Sequence, residues 1–92
     1  MHQYKTPREL ERIIKGFASH MRIKILQLLG KKPELSVIEM AEILKSDLKN
    51  ISAHVNKMAT AGLVMKRHDA NMVRHKLTKR GKSILQFVRI IE

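Results

Sequence analysis

Lys49, Asn50, Ser52, Ala53, Asn56 and Lys57 fall on one side of a helical period, and Ile51, Val55 and Met58 fall on the other. The first set offers amides, a hydroxyl and ammonium groups beside a small residue. Amides and hydroxyls can pair with the donors and acceptors on base edges, whereas long apolar side chains would leave those groups unsatisfied. Such a face suits the floor of a DNA major groove. Lys57 is expected at a phosphate rather than a base. The alternative is a plain solvated face.

A second charged group lies downstream. Between Lys66 and Lys82 there are seven Lys or Arg and one acidic residue. Phosphate contacts need only positive charge and reach, so Lys66, Arg67, Arg74 and Lys76 are expected to straddle a nucleic-acid backbone, with Asn71 at the tip between them. A solubilising charge run is the competing reading, and Lys79, Arg80 and Lys82 also fit the solvated side of a last helix. His2, His20, His54, His68 and His75 have no spacing typical of a metal motif. His54 follows Ile51 by three residues and reads as a partly buried packing residue with one ring nitrogen satisfied. Without Cys, a phosphate-cradling Gly loop or a catalytic spacing of carboxylates, the sequence points to neither an enzyme nor a cofactor.

The elements that position these residues follow from caps and apolar periods. Thr6, Pro7 and Glu9 form a capping box for a first helix with the stripe Leu10, Ile13, Ile14 and Phe17. A second helix is expected from about Ser19 to Leu29, with Met21, Ile25, Leu28 and Leu29 inward and Gly30 ending it. Ser36 and Glu39 open a third helix with the inner stripe Val37, Met40, Ala41 and Leu44. Ser46 or Asp47 caps the fourth, which Gly62 closes. The runs Leu63–Arg67 and Met72–Leu77 read as strands of a hairpin around His68-Asp69-Ala70-Asn71, with Asn71 the expected positive-φ residue. Thr78 caps a final helix in which six of the eight residues from Ile84 to Ile91 are apolar. Ile84, Leu85, Val88 and Ile91 form its inner face, so Phe87 and Ile90 require a partner.

Four helices, a hairpin and a helix make one mainly α domain over residues 1–92 with a small β-hairpin, in the order α-α-α-α-β-β-α of a winged helix-turn-helix. With 19 Lys and Arg against 8 Asp and Glu, the 92-residue chain carries a net charge of +11, which favours a polyanionic partner. The lack of Cys, of a bilayer-length apolar run and of an apolar signal core points to a cytoplasmic chain without membrane association.

The run Phe17-Ala18-Ser19-His20-Met21-Arg22-Ile23-Lys24-Ile25-Leu26 resembles the start of the second helix of ArsR-type repressors. From Leu44 to Val64 the similarity to that family's helix-turn-helix is gapless, with Ile51, Ser52, His54, Val55, Ala61, Gly62, Leu63 and Val64 at its pattern positions. Leu77-Thr78-Lys79-Arg80-Gly81 resembles the post-wing motif of MarR-like proteins. The resemblance implies a homodimeric regulator, in the manner of a repressor, that binds double-stranded DNA. Four departures stand out. Ser36 and Ile38 lie in the third helix region where metal-sensing members carry Cys, which removes that sensing site. Lys45 replaces a turn Gly, Ala70-Asn71 replaces Gly-Arg at the wing tip, and Leu48 stands where a base-reading Gln is frequent.

The expected self-association surface is Leu10, Ile13, Ile14, Phe17, Phe87, Ile90 and Ile91. The alternative function is a winged-helix protein-interaction or RNA-contacting module of a nucleoprotein complex, presenting Ile38, Ile43, Phe87 and Ile90.

Overall fold

Every helix of the described residues starts at a side chain that accepts from an otherwise unpaired backbone N–H. In the computed structural model, which describes residues 4–92, α1 (Pro7–Lys15) is capped by Thr6, α2 (His20–Lys31) by Ser19 and α3 (Val37–Leu44) by Ser36. Asp47 caps α4 (Leu48–Thr60), and Thr78 caps α5 (Lys79–Ile91). Thr6 and Ser36 form reciprocal capping boxes with Glu9 and Glu39. Each cap contributes about 1 kcal/mol, enough to decide where a short helix begins. Of the two candidates for α4, Asp47 takes the role and accepts from Asn50 N at 3.1 Å. His2 lies outside the described residues.

β1 (Val64–Asp69) and β2 (Met72–Leu77) pair antiparallel from Val64↔Leu77 to Asp69↔Met72. The first strand therefore runs two residues past the expected Arg67. This register leaves Ala70 and Asn71 as a two-residue tip, and Ala70, not Asn71, takes the positive φ of 56°. Positive φ at the first tip residue is the pattern of a II′ turn, so the register decides which residue bears it. The full order is α1-α2-α3-α4-β1-β2-α5, a winged helix-turn-helix.

α2 is the hub, packing against α3, α4, α5 and β2. Its Ile25, Leu26 and Leu29 meet Met40 and Ala41 of α3, Ile51, Val55 and Met58 of α4, and Leu63, Val64, Leu77 and Leu85 in one buried cluster. Three sequence expectations are corrected here. Gly30 does not end α2, which continues to Lys31; a Cβ at Gly30 would collide with Leu85 Cδ2, so the glycine serves the close seating of α5. Phe17 is not on an outer stripe: α1 ends at Lys15, and the following turn carries the Phe17 ring into the chain's own core. Ile91, expected on the inner face of α5, is 65% exposed because the helix extends past its last buried residue, Val88.

The connection between α3 and α4 is tight. Lys45 adopts the left-handed conformation at φ 51°, where the family resemblance has Gly. This conformation lets Ser46 N–H return to the Ala41 carbonyl at 3.0 Å and terminate α3.

Candidate nucleic-acid interface

The outward face of α4 is built from its capped end. Lys49, Asn50, Ala53, Asn56 and Lys57 are exposed and Ser52 is half-buried, while Ile51, Val55 and Met58 anchor the opposite side in the core. The Asn50 amide nitrogen lies 3.4 Å from Ser46 Oγ, which orients it beside the cap. Asn56 Oδ1 accepts from Lys66 Nζ at 2.7 Å, joining α4 to β1 of the wing. Lys49 and Lys57 make no ion pair among the described residues and are available to an anion. Leu48, the first residue of α4, is also exposed.

His54 sits beside this face, half-buried as expected. Its Nδ1 accepts from Arg22 Nε at 3.0 Å, and Arg22 Nη1 donates to the Lys15 carbonyl at 2.7 Å. One guanidinium thus holds the end of α1, the start of α2 and the middle of α4. Burial, then the neighbouring charges of Arg22 and Lys57, push the His54 pKa down, which keeps the ring a neutral acceptor.

The wing is less free than its charge suggests. Arg67 Nε donates to Glu34 Oε1 at 2.6 Å, and that carboxylate, through the hydrogen bond first and its charge second, holds the guanidinium more firmly protonated. Arg74 donates to Asp69 Oδ2 and to the Glu34 carbonyl, both at 3.1 Å, and lies 3.8 Å from Glu39. The two arginines expected to straddle phosphates therefore brace the hairpin against the residues before α3. Lys66 and Lys76, expected together on the backbone, are on opposite faces: the pairs Lys66↔His75 and Met65↔Lys76 alternate across the sheet. Asn71 is exposed at the tip.

A second brace lies beneath the arginines. Leu35 bridges His75 in antiparallel fashion, His75 N donating to the Leu35 carbonyl at 2.9 Å and Glu34 N to the His75 carbonyl at 2.7 Å. The buried His75 ring places Nδ1 3.0 Å from the same Leu35 oxygen, which assigns the proton to that nitrogen. Burial pushes this ring's pKa down, against the opposing pull of the Leu35 carbonyl. Glu34, with φ 67°, thus braces the wing, a role the sequence reading did not give it. Its partners are 33 and 40 positions away, and no local pattern marks it. His68 and His75 do not face each other, since His68 pairs with Val73. Among the described residues no group of three His, Cys, Asp or Glu is placed to hold a metal, and no helix is long and apolar enough to cross a membrane.

Known structures share this fold. The homodimeric winged helix-turn-helix DNA-binding domain of Mb0332 from Mycobacterium bovis, described as a possible ArsR-family transcriptional regulator, superposes with a TM-score of 0.83 at 21% identity, over 99% of this chain and 89% of that one. HlyU from Vibrio cholerae N16961 gives 0.82 at 26% identity, over 97% of each chain. The transcriptional repressor PagR of Bacillus anthracis gives 0.78 at 22% identity, over 88% of this chain and 93% of that one. The structural neighbours are thus ArsR-family and HlyU winged helix-turn-helix transcriptional regulators. No curated protein matches the sequence. Residues 18–79, more than half of the length, match the family designated HVO_A0114, and the chain belongs to that family.

Proposed function

We propose that residues 1–92 form a single DNA-binding domain that acts as a homodimeric, sequence-specific transcriptional regulator, a repressor working in the cytoplasm on double-stranded DNA. The observation that carries this reading is the outward face of α4: exposed, free of large aromatic groups, and presenting amides already oriented by Ser46 and Lys66. Asn50 supplies an amide donor and acceptor suited to adenine, Ser52 a hydroxyl suited to either member of a pair, and Ala53 room for a thymine methyl. Asn56, already joined to Lys66, reads at the edge of the same face, and Lys49 stands beside the first bases. Lys57, Lys66 and Lys76 supply phosphate contacts, with Arg67, Arg74 and Asn71 at the wing. The transcriptional-regulator neighbours support the same reading without enzymatic chemistry.

Selection of bound sequences from a random duplex pool tests it. Two such helices in a two-fold dimer should enrich an inverted repeat with half-sites about one helical turn apart. On that site Asn50→Ala and Ser52→Ala should each cost about 1–3 kcal/mol, with little change on random duplex, whereas Lys57→Ala should weaken both. Equal losses on both duplexes for Asn50→Ala and Ser52→Ala would remove α4 as the reader. No enrichment would favour the interaction module, for which the exposed Ile38 and Ile43 of α3 supply a surface.

A further inference from the structure

A cleft of about 450 Å³ opens between the end of α2, the base of β2 and the side of α5 from Lys82 to Arg89. Its floor is apolar, made by the buried Leu29, Leu77 and Leu85. Leu85 packs directly against Gly30, where a Cβ would collide with its Cδ2. Lys82, Gln86 and Arg89 recur at i, i+4 and i+7 and form one polar stripe of α5 along its edge. Lys76 of β2 lines the cleft too.

In a chain with 19 Lys and Arg against 8 Asp and Glu most cations lack a carboxylate, and here three of them line one apolar cleft. Among the described residues neither Lys76 nor Lys82 nor Arg89 makes an ion pair or a side-chain hydrogen bond, while Lys15, Arg67 and Arg74 are each matched to a carboxylate. Three uncompensated cations around one apolar floor repel one another, and a single anion seated among them removes that repulsion. The apolar floor gives a bare phosphate nothing to gain, but rewards a hydrocarbon body. The volume falls in the range of small-molecule sites.

We infer that this cleft is a binding site for a small monoanionic amphiphile, a carboxylate carried on a short hydrocarbon or aryl body. The carboxylate bonds to Lys82, Arg89 and Lys76 with Gln86 as a neutral donor, and the body lies on Leu29, Leu77 and Leu85. The assignment does not require the DNA reading: Lys82, Gln86 and Arg89 have no part in it, and only Lys76, on the sheet face opposite Lys66, is shared between the two.

Titration of the full ¹⁵N-labelled chain with decanoate, below its micelle-forming concentration, tests the site by amide shifts. Saturable changes confined to Leu29–Gly30, Lys76–Leu77 and Lys82–Arg89 are expected. 1-Decanol should bind at least roughly tenfold more weakly, the value of one charge-assisted contact. The double variant Lys82→Gln, Arg89→Gln should lose a similar factor for decanoate while keeping its melting temperature. Equal binding of decanol, equal binding by the double variant, or shifts centred on Phe87 and Ile90 would overturn the proposal. So would inorganic phosphate or duplex DNA perturbing Lys82, Gln86 and Arg89 as strongly as decanoate does.

Discussion

Glu34 changes the meaning of the wing's charge. Its carboxylate occupies Arg67, and its carbonyl shares Arg74 with Asp69, so a phosphate that recruits either arginine must first displace an internal acceptor. Glu34→Gln removes the competing charge but keeps an acceptor. The expected outcome is roughly three- to tenfold tighter binding to any duplex and a steeper salt dependence, measured by fluorescence anisotropy at several salt concentrations. Unchanged affinity and slope would show that Arg67 does not contact the backbone. The histidines give a second expectation at this scale. His54 and His75 are both held below the ordinary imidazole value of 6.5, chiefly by burial. The unfolded chain therefore binds more protons than the folded one, so their stabilising contribution is complete above about pH 6.5 and is lost as pH falls through the folded-state values. Glu9 and Glu39 are instead held below 4.5 by their capping bonds and act only in stronger acid. The melting temperature should be lower at pH 5.5 than at 7.5, and His54→Asn, which keeps an acceptor for Arg22 but does not titrate, should narrow that difference.

Among the elements, the tightest demand falls on the turn between α3 and α4. A non-glycine residue in the left-handed region costs about 1 kcal/mol, and Lys45 has no side-chain hydrogen bond to offset it. Lys45→Gly should therefore raise the unfolding free energy by up to about 1 kcal/mol, less what glycine loses in backbone entropy, with the same denaturant slope in urea titrations. A loss of stability would show that the lysine stem packs usefully on the turn. The contrast with what sequence alone disclosed is informative here. Caps were legible because Thr6, Ser36 and Thr78 act on backbone three residues away, within the span of a motif. The inner face of α4 was legible because Ile51, Val55 and Met58 keep one period. The fate of Phe17 was not, since it depends on where α1 stops and how the chain turns at residue 16. Ala70 was hidden for a related reason: strand register, a property of two segments, chooses the tip residue. The bracing of Arg67 and Arg74 was hidden most deeply, because its partners are distant in sequence and are brought close only by the Leu35–His75 bridge.

For the whole molecule, the proposed second copy would cover exposed apolar surface. Leu10 and Ile14 of α1, and Phe87, Ile90 and Ile91 of α5, are exposed although a chain this small gains from covering them, and Ile13 packs partly on the core between them. With Phe17 buried internally, these six residues are the proposed dimer surface. Phe87→Glu or Ile90→Glu should convert a micromolar dimer to monomer in sedimentation equilibrium while leaving the far-ultraviolet circular dichroism unchanged. A wild-type chain that sediments as a monomer would sink the assignment.

The Arg22 contacts give that arrangement a mechanical side. One guanidinium donates to both the last residue of α1 and the ring of His54, so a rotation of α1 against α4 must stretch or break one of these bonds. The two helices share a joint. In the proposed dimer, a second subunit docked on α1 would bear on an element linked through Arg22 to His54, one residue from Ala53 on the outward face, so the angle at which two chains clasp would bias the angle at which each presents α4.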